Sequence, residues 1–195
     1  MAENFSGIWQ RIARRIRVPV GFAFTVLYVW LASPTWTSIF GGSLLVVIGV
    51  VIRALASGHL KKNEELATGG PYAYTRNPLY LGSLILALGF VLAARSWWIA
   101  AISAVIFVAI YMPVIRAEET FLRARFPEYE DYARKVPRIL PLLRVPGWRS
   151  EFSWDLYMKH REYNAAIGAL ALLAALQVKL LWLLHHATKT STFWR

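Results

Sequence analysis

The sequence predicts an all-α, polytopic membrane protein with about five transmembrane helices and a helical cap on one side. Two observations carry this. The 195 residues are 57% hydrophobic and only 17% charged, whereas soluble domains sit nearer a half and a quarter. The apolar residues also fall into five runs, at 18–32, 39–57, 79–94, 97–115 and 164–184, each near the ~20 residues that a bilayer core requires. Backbone groups find no partners in hydrocarbon, so these runs must be helices; a barrel would show shorter alternating segments.

The first segment, 1–17, is basic and amphipathic. Ile8, Trp9, Ile12 and Ile16 fall near one helical face, with Arg11, Arg14 and Arg15 largely on another, as in an interfacial helix. The run after it ends in Ser33-Pro34-Thr35-Trp36, which is no small-x-small cleavage site, so it reads as a retained span. Residues 18–57 then hold two spans. Arg53 and Lys179 are the charges within spans; both lie near helix ends, where long side chains snorkel.

Charge gives the orientation. Segments 1–17, 58–78 and 116–163 hold 17 of the 22 Lys and Arg and all eleven Asp and Glu. By the positive-inside rule these segments and the N-terminus are expected in the cytoplasm, and the C-terminus opposite. A site that needs carboxylates therefore lies at the basic ends of the helices. The net charge of +11 flanks apolar runs instead of forming one soluble basic face, so nucleic acid is not the expected partner. With no Cys there is no disulfide, thiolate metal site or cysteine nucleophile. The histidines show no metal-ligand spacing with acids, and no metal is expected.

Two constellations remain. In 61–83, Gly69-Gly70-Pro71 signals a turn, and Asn77-Pro78 a helix start with Asn as N-cap. Tyr72, Tyr74, Arg76 and Tyr80 cluster there; without more, this is equally a capped helix with an interfacial aromatic belt. The second is Arg116, Glu118 and Glu119, closing the fourth span. Adjacent carboxylates at a helix C-terminus oppose the dipole and call for a cation, from Arg76, Arg116, Arg123 or a ligand. The tight Arg95-Ser96 hairpin makes the third and fourth spans antiparallel neighbours, so the two constellations should meet. Further on, Pro127-Glu-Tyr-Glu-Asp-Tyr-Ala-Arg-Lys reads as an amphipathic cap helix, and Pro137, Pro141 and Pro146 extend the chain after it.

The order GPYAYTRNPLYLG, a two-span hairpin, RAEETFL and FPEYEDYARKVPRILP resembles the isoprenylcysteine carboxyl methyltransferase and phospholipid methyltransferase superfamily over roughly 55–143. The resemblance makes 58–143 a cofactor-binding methyltransferase module within a single membrane domain, and 144–195 a connector and the last span. It implies S-adenosylmethionine as cofactor and a lipid or lipid-linked acceptor arriving through the bilayer. Tyr72, Asn77, Pro78 and Tyr80 would contact the cofactor, Glu118 would hold its polar end, and Gly70 would allow close backbone approach. Arg76 and Arg116 are the candidates to orient an acceptor, and Glu119, beside Glu118, is the third catalytic candidate.

The chemistry suits these residue types. Carboxylates and aromatic faces attract a sulfonium cation, and in-line methyl transfer depends on alignment. Isoprenylcysteine-type carboxyl O-methylation needs orientation alone. Phospholipid N-methylation, of the phosphatidylethanolamine type, also needs a base to free the amine, from Glu118, Glu119 or His59. The sequence departs from the carboxyl methyltransferase pattern twice, with Asn77 where that group usually has His and Val114 where eukaryotic members have Arg. A less favoured reading is a sterol-reductase-like oxidoreductase using NADPH through Arg123, Arg125 and Arg134, although no GxGxxG is present.

Overall fold

The computed structural model describes residues 23–61, 64–142 and 151–192. The expected interfacial helix at 1–17 and the start of the first span lie outside them. The described residues are helical and loop, with no strand among them. Helix α1 covers 23–31 of the first expected span. Next come α2 (Trp36–Ser57), a 3-10 turn at Gly70–Ala73 and α3 (Pro78–Ala94). The long α4 (Trp97–Arg125) follows, then the cap helices α5 (Tyr129–Lys135) and α6 (Trp154–Lys159), and finally α7 (Tyr163–Thr192).

Among the described residues, α2, α4 and α7 are long and apolar enough to cross a membrane, and α3 is a shorter apolar helix of 17 residues. At 1.5 Å per residue α3 is about 25 Å long and α4 about 43 Å. A bilayer core is ~30 Å thick, so α4 overshoots it. This shifts one expectation: the fourth helix does not close near 115 but runs to Arg125, and Arg116, Glu118 and Glu119 stand on its projecting turns. Arg123 and Arg125 occupy its last turn, where cations suit the dipole.

Within α4 the segment Phe107–Tyr111 is π-helical. Pro113 has no N–H for the carbonyl of Ala109, and its ring crowds that carbonyl; the widened turn absorbs both effects.

The closest helix contact is between α2 and α3, through glycines seven residues apart on each. A Cβ on Gly42 would meet the Gly89 carbonyl at 2.5 Å, and one on Gly49 the Gly82 carbonyl at 2.7 Å. The antiparallel pairing Gly42–Gly89 and Gly49–Gly82 brings backbones together as small residues do in lipid. At the far end, the Tyr28 hydroxyl donates to the Phe90 carbonyl at 2.8 Å and Ser38 to the Ala93 carbonyl at 3.0 Å. Trp30, Trp36, Trp97 and Trp182 are all exposed at this end of the helices, forming an interfacial aromatic belt.

Neither intrahelical charge simply snorkels. Lys179 Nζ donates to the carbonyls of Val29 and Trp30 at 2.6 and 2.8 Å, closing the C-terminal end of α1 as a cation should. Arg53 forms a bidentate pair with Glu162, just before α7, with contacts of 2.8–3.0 Å. Glu162 follows Arg161, whose φ of 54° makes the sharp turn between α6 and α7.

Candidate active site

The hairpin brings the two constellations together. Arg95 takes the left-handed conformation (φ 50°) at the end of α3, and α4 returns antiparallel. At the other end the Tyr80 hydroxyl donates to Glu118 Oε2 at 2.9 Å. Tyr80 also packs edge-on against Tyr111, ring centroids 5.7 Å apart, and Tyr111 stacks on Phe107 at 5.1 Å. The π-helical turn thus supplies part of the aromatic wall.

Tyr80, Tyr111 and Glu118 line a cavity of about 570 Å³, within the range of small-molecule sites. Tyr72, Arg76, Asn77, Pro78, Tyr80 and Glu118 all contribute to its wall. So does Val114, leaving an apolar surface at that position. Gly70, Arg116 and Glu119 are not among the lining residues. Gly70 has φ +56°, and a Cβ there would lie 2.4 Å from the His59 ring; glycine is required by that turn and that contact. Arg116 is exposed on α4.

Glu118 and Glu119, one residue apart, point in different directions. Glu119 is 2% exposed and faces the cap. It accepts from Arg138 at 2.6 and 3.0 Å and pairs with Arg76 at 3.5 Å. The compensating cations for this carboxylate are therefore Arg76 and Arg138, while Arg123 pairs with Glu130 at 2.7 Å. The bond to Glu119 is the main reason the Arg138 pKa is raised. Such a pair is costly to leave half-made.

Asn77 occupies the N-cap position of α3, but its side chain makes no cap bond there. Nδ2 instead donates to the Arg138 carbonyl at 2.9 Å, an oxygen shared with Thr75 Oγ1 at 3.2 Å. The partly buried Arg138 carbonyl takes this donor in place of the helix end. The extended cap segment continues this pairing, with the Arg76 N–H on the Pro137 carbonyl and the Leu142 N–H on that of Tyr74. Pro127 precedes α5 by two residues. Its helix buries Tyr129 between the guanidinium groups of Arg76 and Arg123, 5.9 and 5.7 Å from the ring centre.

Tyr132 is a lining residue that the motifs do not reveal. Its hydroxyl donates to the Tyr72 carbonyl at 2.7 Å. Burial pushes the pKa of both Tyr72 and Tyr132 well above the usual phenol range, so both remain neutral hydrogen-bonding walls. Arg53, Ser83 and Phe126 are further lining residues. His59 lies outside the cavity wall, its Nδ1 2.7 Å from the Leu55 carbonyl.

The cavity fits S-adenosylmethionine by donor set. Glu118 offers a carboxylate to an ammonium, and the tyrosines offer aromatic faces to a sulfonium. Arg76 Nε is buried without a hydrogen-bond partner among the described residues, a donor in want of an oxygen.

Apolar helices long enough to span, with an acid- and tyrosine-lined cavity at their ends, suit a membrane-embedded methyltransferase. The chain belongs to the isoprenylcysteine carboxyl methyltransferase and phospholipid methyltransferase superfamily: residues 37–129 match the phospholipid methyltransferase family. It is 32% identical over 169 residues to a cobalt-zinc-cadmium resistance protein of Cupriavidus metallidurans, covering 82% of this chain and 73% of that one. A nickel-cobalt-cadmium resistance protein of Alcaligenes xylosoxydans xylosoxydans is 33% identical, covering 84% and 76%. The protein-S-isoprenylcysteine O-methyltransferase of Schizosaccharomyces pombe is 30% identical over 102 residues, 52% of this chain and 43% of the enzyme. No solved structure matches the chain.

Proposed function

We propose that the protein transfers a methyl group from S-adenosylmethionine to a lipid or lipid-linked acceptor, in a site at the cytoplasmic ends of α3 and α4. The observation that carries this is the Tyr80–Glu118 contact in the wall of the 570 Å³ cavity. It sets a carboxylate and an aromatic face where a soluble cofactor can enter from the cap side and an acceptor from the bilayer. The cofactor, when bound, supplies an activated methyl group on a sulfonium. Glu118 holds its ammonium end, Tyr72 and Tyr80 face the cation, and Asn77 and Pro78 shape the floor. Glu119 fixes Arg76 from behind.

For the acceptor we favour a carboxylate, as in isoprenylcysteine-type O-methylation. The supporting observation is the unpartnered Arg76 Nε, a donor suited to an anionic oxygen. A carboxylate is already nucleophilic at neutral pH and needs only alignment with the methyl group. A second reading is phospholipid N-methylation, supported by the family match over 37–129 and by Glu65 and Glu118 in the wall. One of these carboxylates would then take the amine's proton.

Titration of the purified protein with S-adenosylmethionine and with NADPH tests the reading. S-adenosylmethionine is expected to bind, and Glu118→Ala and Tyr80→Ala to weaken it. Tight NADPH binding without S-adenosylmethionine binding would overturn the reading in favour of an oxidoreductase. Labelled methyl offered to a prenylated thioether carboxylate and to extracted phospholipids then separates the two acceptors; label in neither defeats the lipid-acceptor assignment.

A further inference from the structure

Helix α7 has one face that packs inward and another that does not. Ala169, Leu176 and Leu180 are buried in the helix core, with Leu172 and Leu173 against it. On a second face Ile167, Leu170, Ala174, Gln177, Leu181 and Leu184 are all exposed. These residues succeed one another at alternating spacings of three and four. That is the 3.5-residue period of a helix–helix seam, and it sets their side chains in one stripe along α7.

Exposed leucines need no partner in a bilayer, because hydrocarbon solvates them as well as another helix would. Gln177 is different. It stands about 21 Å along α7 from Tyr163 and about 7 Å short of Trp182 in the aromatic belt, within the reach of a ~30 Å core. Side chains on a helix lean toward its N-terminus, which carries this amide away from the belt and deeper into hydrocarbon. There it neither donates nor accepts among the described residues. Lys179, two residues on, is satisfied by the carbonyls of Val29 and Trp30.

A side-chain amide carries two N–H donors and a carbonyl acceptor, so an identical amide at the same depth complements it. A second copy of the chain supplies one. Copies inserted in one membrane share an orientation, so a two-fold axis along the membrane normal sets two α7 helices parallel, with position 177 facing position 177. A seam of this period crosses at about 20°. Ala174, three residues before the amide, is the small residue that lets the backbones approach.

We propose that the protein forms a parallel homodimer through this face of α7, with the two Gln177 amide groups hydrogen-bonded to each other across the two-fold axis. The apolar members of the seam exchange lipid for protein at little net gain, so Gln177 sets the register, as a lone polar residue does in a coiled coil. No residue of α7 lines the active-site cavity, and the inference stands apart from the methyltransferase reading.

Two measurements on the full chain in proteoliposomes test it. The chain has no Cys, so single cysteines report on the seam, and a disulfide requires Cα atoms within about 7 Å. On oxidation with copper phenanthroline, Leu170→Cys, Ala174→Cys and Leu181→Cys are expected to give cross-linked dimers. Gly168→Cys, exposed on another face of α7, and Val105→Cys, exposed on α4, are expected to remain monomeric. The second measurement follows energy transfer between donor- and acceptor-labelled copies as lipid is added. Gln177→Leu is expected to weaken dimerisation about tenfold, the loss of the paired amide bonds, with an unchanged unfolding midpoint of the diluted monomer. Gln177→Asn, which keeps an amide, should retain most of the affinity; a general loss of packing would not tell the two variants apart. Wild-type protein that is monomeric at every lipid ratio would overturn the proposal. So would equal affinities for wild type and Gln177→Leu, or cross-links as strong at Gly168→Cys as along the seam.

Discussion

The Tyr80 hydroxyl donates to Glu118 Oε2 at 2.9 Å, joining α3 to α4 at the end remote from their hairpin. Two residues 38 apart in the chain thereby form one wall of the cavity. Because the acceptor oxygen is anionic, the bond is of the stronger kind. It also fixes the carboxylate in the cavity wall, where the proposed cofactor's ammonium would meet it.

Tyr80→Phe keeps the ring and loses only this bond. Cofactor affinity should fall by about 1 kcal/mol, roughly fivefold, through a less ordered Glu118. Glu118→Gln removes the charge itself and should cost about 2 kcal/mol, roughly thirtyfold. Calorimetric titration of both variants checks the order; equal affinities for wild type and Glu118→Gln would remove Glu118 from the cofactor site.

Glu119 is expected to behave differently from its neighbour. Its carboxylate ties α4 to Arg76 and to Arg138 of the cap. Glu119→Ala leaves two guanidinium groups without their partner and should destabilise the protein by about 3 kcal/mol. The loss should appear as a lower unfolding midpoint and faster hydrogen exchange at 137–142, whereas Glu118→Ala, which loses only the bond from the Tyr80 hydroxyl, should cost less, about 1 kcal/mol. Equal midpoints for the two variants would refute this division of labour.

The contrast shows what was legible in the sequence. Apolar run length and charge placement revealed the helical membrane class and the basic end that carries the acids. The hairpin signal at Arg95-Ser96 predicted that Tyr80 and Glu118 would approach. Which of two adjacent carboxylates faces a cavity depends on the rotation of α4, and that is set by contacts with Arg138, some twenty residues on. The Arg53–Glu162 pair was hidden for the same reason: 109 residues separate its members. The glycine spacing of α2 and α3 was visible but needed a facing partner to acquire meaning.

That glycine contact makes a test of the scaffold. Gly49→Ala would set a methyl group 2.7 Å from the Gly82 carbonyl and from the Leu86 backbone nitrogen. Backbone cannot rotate aside as a side chain can, so α2 and α3 must separate, at a cost of about 1–3 kcal/mol. The companion Gly41→Ala meets only a Leu92 methyl at 3.6 Å and should be neutral. Thermal unfolding of both in the same detergent reads the difference; an equally destabilised Gly41→Ala would argue against a specific α2–α3 contact.

Alkaline titration tests the buried phenols. Tyr72 and Tyr132 have pKa values raised by burial in the folded protein, while unfolded tyrosine titrates near ~10. A raised folded pKa means that the unfolded chain loses these protons first as pH rises. Their contribution is therefore complete below about pH 10 and is lost progressively above it. The unfolding midpoint should stay level in this respect between neutral and mildly alkaline pH, then fall. Tyr132→Phe removes one of the two groups along with its bond to the Tyr72 carbonyl. The variant should start from a lower midpoint, by about 1 kcal/mol, yet fall less steeply above about pH 10. An identical alkaline slope in wild type and variant would show that Tyr132 ionises as freely in the folded protein as in the unfolded chain.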